Sequence, residues 1–255
     1  MKISVITLFP EMFTSPFNES IIKRAIEKKL IELEFIDIRS FGIGKHKLVD
    51  DTPYGGGKGM LLRVDVIHKA IEKAKIKKYS KREQKIVLLT AQGKTFNQSK
   101  AKSFSKLKHL ILVCGHYEGF DERIKKYIDE EVSIGDFVLT GGEIPAMLIM
   151  DSVARLIEGV LSKGSLENES FSPLLEYPHY TKPQEYEGEI VPEILLSGNH
   201  PKINKWREDK SISITEKLRP DLLEIKGEIR APRLRKMPQK FLNQKPHRKH
   251  LVTKE

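Results

Sequence analysis

The sequence has a single cysteine, Cys114. It can therefore form no intramolecular disulfide and no cysteine-based metal centre, which fits a reducing compartment. No apolar run approaches the roughly 20 residues a helix needs to cross a bilayer, so we expect a cytoplasmic protein with no membrane span. The amino-terminal KISVITLF is apolar, but Pro10-Glu11 cuts it short and no small-residue cleavage pattern follows. It reads as a strand, not a signal peptide. Glycine is missing where a dinucleotide-binding turn would need it, because the first strand runs into Phe9-Pro10-Glu11-Met12. That excludes a G-x-G-x-x-G start. The run Gly55-Gly56-Gly57-Lys58-Gly59 is no phosphate loop either: Gly59, not Ser or Thr, follows the lysine, and Thr52 stands where the first glycine belongs. Internal repeats are absent too.

What is present suits a soluble globular protein of 255 residues, with 39% hydrophobic and 31% charged residues. The length allows one large or two modest domains. The net charge of +10 is unevenly spread, since residues 226–255 hold ten Lys or Arg against two Asp or Glu. This leaves a nearly neutral body and a basic, low-apolar tail, expected to be disordered and able to attract phosphate in a salt-sensitive way.

Taken in order, Lys2 to Leu8 reads as a strand, Phe17 to Lys29 as an amphipathic helix and Ile31 to Ile38 as a second strand. This is a βαβ opening. Val64 to Ala74 carries apolar residues at helical spacing, and Lys85 to Leu89 is an apolar strand ending at Thr90-Ala91-Gln92-Gly93. His109 to Cys114 is a run of buried-strand length that ends in Gly115-His116-Tyr117-Glu118-Gly119, before a helix-like Asp121 to Ile128. In VSIGDFVLTGGEIP, residues 132–145, the apolar Phe137, Val138 and Leu139 read as a strand core between Gly135 and the pair Gly141, Gly142. Glu143 and Pro145 then suit the first turn of a helix. Glycine lets main chain approach a bound molecule closely. Two strands ending in glycine turns are thus candidate walls of one site, because open α/β sheets bind ligands beyond the carboxyl ends of their strands. A polar stretch, SKGSLENESFSP, reads as a linker, and beyond it Pro192 to Leu196 and His200 to Lys217 read as helical, with Trp206 as anchor.

GHYEGFDER, IDEEVSIGDFVLTGGEIPAM and the upstream VDDTPYGGGKGM, followed by PHYTKP and LLSGNHPKI, closely resemble the bacterial tRNA (guanine(37)-N(1))-methyltransferases, the TrmD family of the SPOUT class. The resemblance covers roughly residues 1–223, block by block in the same order. It implies an α/β fold with a mostly parallel sheet tied in a deep trefoil knot and a small α-rich carboxyl-terminal domain. The boundaries expected are 1–161 for the knotted, cofactor-binding domain, 162–175 for the linker, 176–225 for the helical tRNA-binding domain and 226–255 for the tail.

The resemblance further implies methyl transfer from S-adenosylmethionine to N1 of guanine 37 in tRNA, by a homodimer whose active site lies between subunits. It leaves a magnesium requirement open and assigns no metal ligand. Neutral guanine carries a proton on N1, so the reaction needs a base, and a cation beside O6 to stabilise developing charge. Carried across from the family, the base is Glu169, where relatives usually have aspartate, and the cation is Arg155. The cofactor contacts carried across are Gly115, Tyr117 and Glu118 in the first turn. In the second they are Ser133, Ile134, Gly135, Asp136, Phe137, Val138, Leu139, Gly141, Gly142 and Pro145. His116 stands where relatives often have arginine and is left out of the site, and Ala91 stands where they commonly have proline. Two alternatives are a SPOUT enzyme acting on ribosomal RNA and a non-catalytic RNA-binding module.

Overall fold

The computed structural model describes residues 1–162, 164–166 and 169–224. The basic tail expected over residues 226–255 lies outside them. The chain divides into two compact units, Met1–Leu166 and Glu167–Glu255.

The first unit is built on a sheet of five strands: β1 (Lys2–Thr7), β2 (Glu32–Asp37), β3 (Gln84–Thr95), β4 (His109–Val113) and β5 (Glu130–Ser133). They lie in the order β2-β1-β4-β3-β5, and every pairing is parallel. Side chains alternate between the two faces of a strand, and here both faces are covered. Val87, Leu89, Leu110 and Leu112 enter one apolar cluster, whereas Ile86, Leu88, Ile111 and Val113 enter the other. That is why these strands read as continuous apolar runs and not as alternating ones.

Helix α1 (Ser20–Glu27) buries Ile22 and Ala25 in the first cluster, and α2 (Val64–Ala74) covers the second cluster with Val66, Ile67, Ala70, Ile71 and Ala74. Burying each of the larger side chains contributes about 1.5–3 kcal/mol. The stripe on α2, more than helix propensity, therefore holds it in place. α3 (Gln98–Phe104), capped by the Asn97 carboxamide accepting from the Lys100 amide, and α4 (Glu143–Ala154) complete the first face.

Two expectations change. Phe137–Leu139 is loop, with Phe137 and Val138 exposed, and the strand before it ends at Ser133. Apolar character there serves a surface, which composition alone cannot distinguish from a core. The segment after Asp121 is a 3-10 helix, Glu122–Tyr127, that buries only Ile124. β3 also continues past Leu89 through a register shift, so that Lys94 and Thr95 pair with Val132 and Ser133.

In the second unit, α5 (His200–Leu218) is capped by Asn199 and buries Ile203 and Thr215, while Trp206 is only half-buried. A buried hydroxyl is the firmer anchor. Thr215 Oγ1 accepts from the Leu175 amide at 3.0 Å, and Ser211 Oγ donates to the Leu175 carbonyl at 2.5 Å.

Candidate active site

A cavity of about 300 Å³ opens at the carboxyl ends of β3, β4 and β5. Its walls are Leu89–Gln92 at the register shift within β3, Gly115–Phe120 just past β4, and the stretch from Val132 to Pro145 that begins in β5. The two glycine turns touch. The Gly142 amide donates to the Gly115 carbonyl at 2.8 Å, and a Cβ on Gly142 would stand 2.7 Å from the Cα of Cys114. Only glycine allows so close a backbone approach. Ser133 Oγ accepts from the Gly135 amide at 3.2 Å and closes the turn after β5.

A third loop is tied to this wall from outside. The Glu118 amide donates to the Met60 carbonyl at 3.1 Å, and the Leu62 amide donates to the Gly119 carbonyl at 2.9 Å. Gly59, at φ +79°, lies under the Glu118 side chain, where a Cβ would come within 2.3 Å of Cγ. The glycine-rich run that is no phosphate loop thus packs as a flap beside the cavity.

Of the thirteen cofactor contacts expected, twelve line the cavity, and Asp136 does not. His116, left out on sequence grounds, is in the wall. Its Nδ1 is buried and has no hydrogen-bond partner among the described residues, and its ring meets Phe9 edge to face at 5.0 Å. A buried ring nitrogen without a partner is costly unless a bound molecule supplies one. Tyr117, exposed and at φ +58°, is a non-glycine residue in the left-handed region, a strained backbone of the kind found at binding sites.

Glu143 also carries more than its sequence position suggests. It is 3% exposed, and its Oε1 accepts from Thr7 Oγ1 on β1 at 2.7 Å. The first turn of α4 favours the carboxylate there. Below it, burial and then the Glu143 charge push the Cys114 thiol well above its ordinary pKa. Cys114 is therefore a packed, protonated side chain with no nucleophilic role. No periodicity signals Glu143's burial, because its partner is 136 residues away.

Of the two residues carried over as catalytic, Arg155 is not brought to this cavity within its own unit. Arg155 caps the carboxyl end of α4, thirteen residues past Gly142, so it lies roughly 20 Å along the helix at 1.5 Å per residue. It is half-buried at the opposite, amino-end edge of the sheet, where the following Leu156, Ile157 and Glu158 share a hollow with Met1 and Lys2. Glu169 belongs to the second unit, half-buried in a turn where the Ser172 amide donates to its carbonyl at 3.0 Å. Among the described residues no three His, Cys, Asp or Glu side chains converge as a metal site. No helix among them is long and apolar enough to cross a membrane.

Comparison with known proteins gives one consistent answer. The family described as tRNA (Guanine-1)-methyltransferase TrmD matches residues 1–225. A protein of Clostridium botulinum named tRNA (guanine-N(1)-)-methyltransferase is 57% identical over 224 residues, covering 87% of this chain and 92% of the relative. A protein of the same name from Dehalococcoides mccartyi is 53% identical over 227 residues, 88% of this chain and 91% of the relative. A third, from Clostridium beijerinckii, is 54% identical over 224 residues, 87% and 92% of the two chains. With a main-chain cavity at the strand ends and a match along nearly the whole described chain, the protein belongs to the tRNA (guanine-1)-methyltransferase TrmD family.

Proposed function

We infer that the protein transfers a methyl group from S-adenosylmethionine to N1 of guanine 37 in tRNA. The observation that carries this reading is the cavity itself, walled by main chain from two glycine turns on a chain of this family. Its size is at the lower end of small-molecule sites, and its mix of apolar side chains with exposed main-chain groups suits a nucleoside. Gly115, Tyr117, Ser133, Ile134, Leu139 and Gly141 are the groups proposed to hold the cofactor, and His116 Nδ1 finds its missing partner there. When bound, S-adenosylmethionine supplies a methyl group on a positively charged sulfur.

The protein's own residues do the rest. Glu169 takes the N1 proton of the guanine, and the Arg155 guanidinium, beside O6, stabilises the charge that develops as the proton leaves. Arg155 lies a helix length from its own cavity, which supports a homodimer in which each chain's Arg155 serves the partner's cofactor. Apolar side chains left exposed on this unit, Val138, Ile144 and Leu148 among them, offer a surface for such a second copy. The same reading includes the domain roles. Residues 1–161 form the catalytic domain, 162–175 a linker carrying Glu169, and 176–225 a helical domain that binds the tRNA, all acting in the cytoplasm. Knotted threading of the chain through the sheet belongs to it too, and the seating of Gly142 against the backbone of Cys114 supports it.

The test is direct. The full chain is incubated with a tRNA transcript and S-adenosylmethionine, and the modified base is mapped. We expect 1-methylguanosine at position 37, and chelator in the same assay reads any magnesium requirement. Methylation at another base, or none, overturns the reading.

A further inference from the structure

The segment 73–85, KAKIKKYSKREQK, holds seven Lys or Arg against one acid. It is a denser run of positive charge than composition suggests for a body that is nearly neutral. The structure folds it into an ordered connection from α2 to β3. The Ile76 amide donates to Gln84 Oε1 at 2.8 Å, the Ser80 amide to Glu83 Oε2 at 3.1 Å, and the Gln84 amide to the Ser80 carbonyl at 2.9 Å. The backbone that carries these charges is thus held in place.

The connection shapes two hollows at the amino end of the sheet. One, of about 460 Å³, is rimmed by Lys75, Lys77, Lys81 and Lys126 and has the rings of Tyr79 and Tyr127 in its wall. The other, of about 740 Å³, shares Ile76 and Tyr79 with the first and runs on to Leu156, Ile157 and Glu158, directly after Arg155. Two nearby acids are already engaged. Glu83 is bonded to Lys108 at 2.7 Å as well as to Ser80, and Asp129 accepts from the Ile86 amide at 2.9 Å. Lys77, Lys78, Arg82 and Lys126 are exposed, and none of them has a carboxylate within ion-pair distance among the described residues. The result is a cluster of cations with an aromatic face, beside a hollow that Glu32 and Glu158 also line and that reaches the residues following Arg155.

We propose that this cluster docks the phosphate backbone of the substrate tRNA, placing Lys77, Lys78, Arg82 and Lys126 against phosphates flanking the target guanine. The proposal rests on the tRNA-methylation reading above. Spaced ammonium and guanidinium groups match a polyphosphate by releasing its condensed counterions, and the ring of half-buried Tyr79 adds a surface on which a base can stack. An acidic protein would be drawn by charge as well but lacks the regular succession of bases and phosphates that an RNA strand presents, so it stands as the competing outcome.

The experiment compares the full-length protein with the triple variant Lys77→Ala, Lys78→Ala, Arg82→Ala. All three side chains are exposed, and thermal unfolding of both proteins confirms the fold. Two quantities are read: the slope of log binding constant against log salt for tRNA, and KM and kcat for its methylation. Each lost phosphate contact lowers the slope by about 0.9. The slope should therefore fall by roughly 2 to 3, and KM should rise about tenfold while kcat stays within about twofold. An unchanged slope and KM overturn the proposal. So does an altered affinity for polyglutamate with tRNA unaffected, which would reassign the cluster to a protein partner. A slope lost on a non-substrate duplex RNA with the tRNA KM intact also overturns it, since the cluster would then serve another RNA. If the wild-type protein binds tRNA but methylates none, the function above falls, while the salt slope still reports on the cluster.

Discussion

At the scale of single residues, one carboxyl and one imidazole group make opposite demands on their surroundings. Glu169, as the proposed base, has to accept a proton, and Glu169→Gln keeps its size and hydrogen bonding but removes that ability. Single-turnover methylation should fall by about 10²-fold to 10⁴-fold, with cofactor affinity nearly unchanged. A variant with a near-normal rate would move the base elsewhere in the linker. His109, by contrast, is fully buried between Ser4 Oγ and Gln84 Oε1, each 2.8 Å from a ring nitrogen. Gln84 Oε1 already accepts from the Ile76 amide, so Nδ1 is the nitrogen that carries the proton, and Nε2 faces the Ser4 hydroxyl that also reaches Glu34. Protonating Nε2 would complete that chain of bonds, but burial first, then the Lys2 charge, pull the pKa down to about 4. The unfolded chain therefore binds a proton below pH 6.5 that the folded one refuses. Stability from this residue is complete above that pH and is lost as pH falls from 6.5 to about 4, by on the order of 3 kcal/mol. Urea midpoints measured across this range should slope less in His109→Gln than in the wild type; equal slopes would refute the assignment.

At the scale of elements, the contact between the two glycine turns makes a sharper demand. Gly142→Val should abolish S-adenosylmethionine binding by calorimetry, because its side chain must displace the Cys114 backbone, while the circular dichroism of the variant stays that of a folded protein. Retained affinity in the folded variant would remove these turns from the site. How legible such elements were depends on where their determinants lie. Val64–Ala74 was readable to its ends, since every buried residue sits at helical spacing within the segment itself. Phe137–Leu139 was misread as strand because exposed apolar side chains lining a cavity look like core ones in a linear string. The continuation of β3 past Gly93 depends on a bulged pairing with β5, and the anchoring of α5 on Ile203 and Thr215 in place of Trp206 depends on Leu175. None of these partners is local. Among site residues, glycine betrayed the turns, whereas His116 and Glu143 owe their places to neighbours far away in sequence.

At the scale of the whole molecule, the proposed sharing of a site between subunits predicts complementation. Arg155→Ala chains keep a sound cavity, and Gly142→Val chains keep a sound arginine, so each homodimer should be inactive. Co-expressed, they should recover about a quarter of wild-type activity, since half of randomly paired dimers hold one intact composite site out of two. No recovery in a mixed dimer isolated with two different tags would place the whole reaction within one chain. The cavity's construction has a further consequence outside the reaction. Gly115, Gly119, Gly135, Gly141 and Gly142 line it with main chain alone, tied by the Gly142 to Gly115 bond, and backbone atoms are the same whatever residue is encoded. An inhibitor that hydrogen-bonds those amides and carbonyls leaves a bacterium few routes to resistance through point mutation, since a substitution that crowds the inhibitor out of these turns crowds out the methyl donor as well.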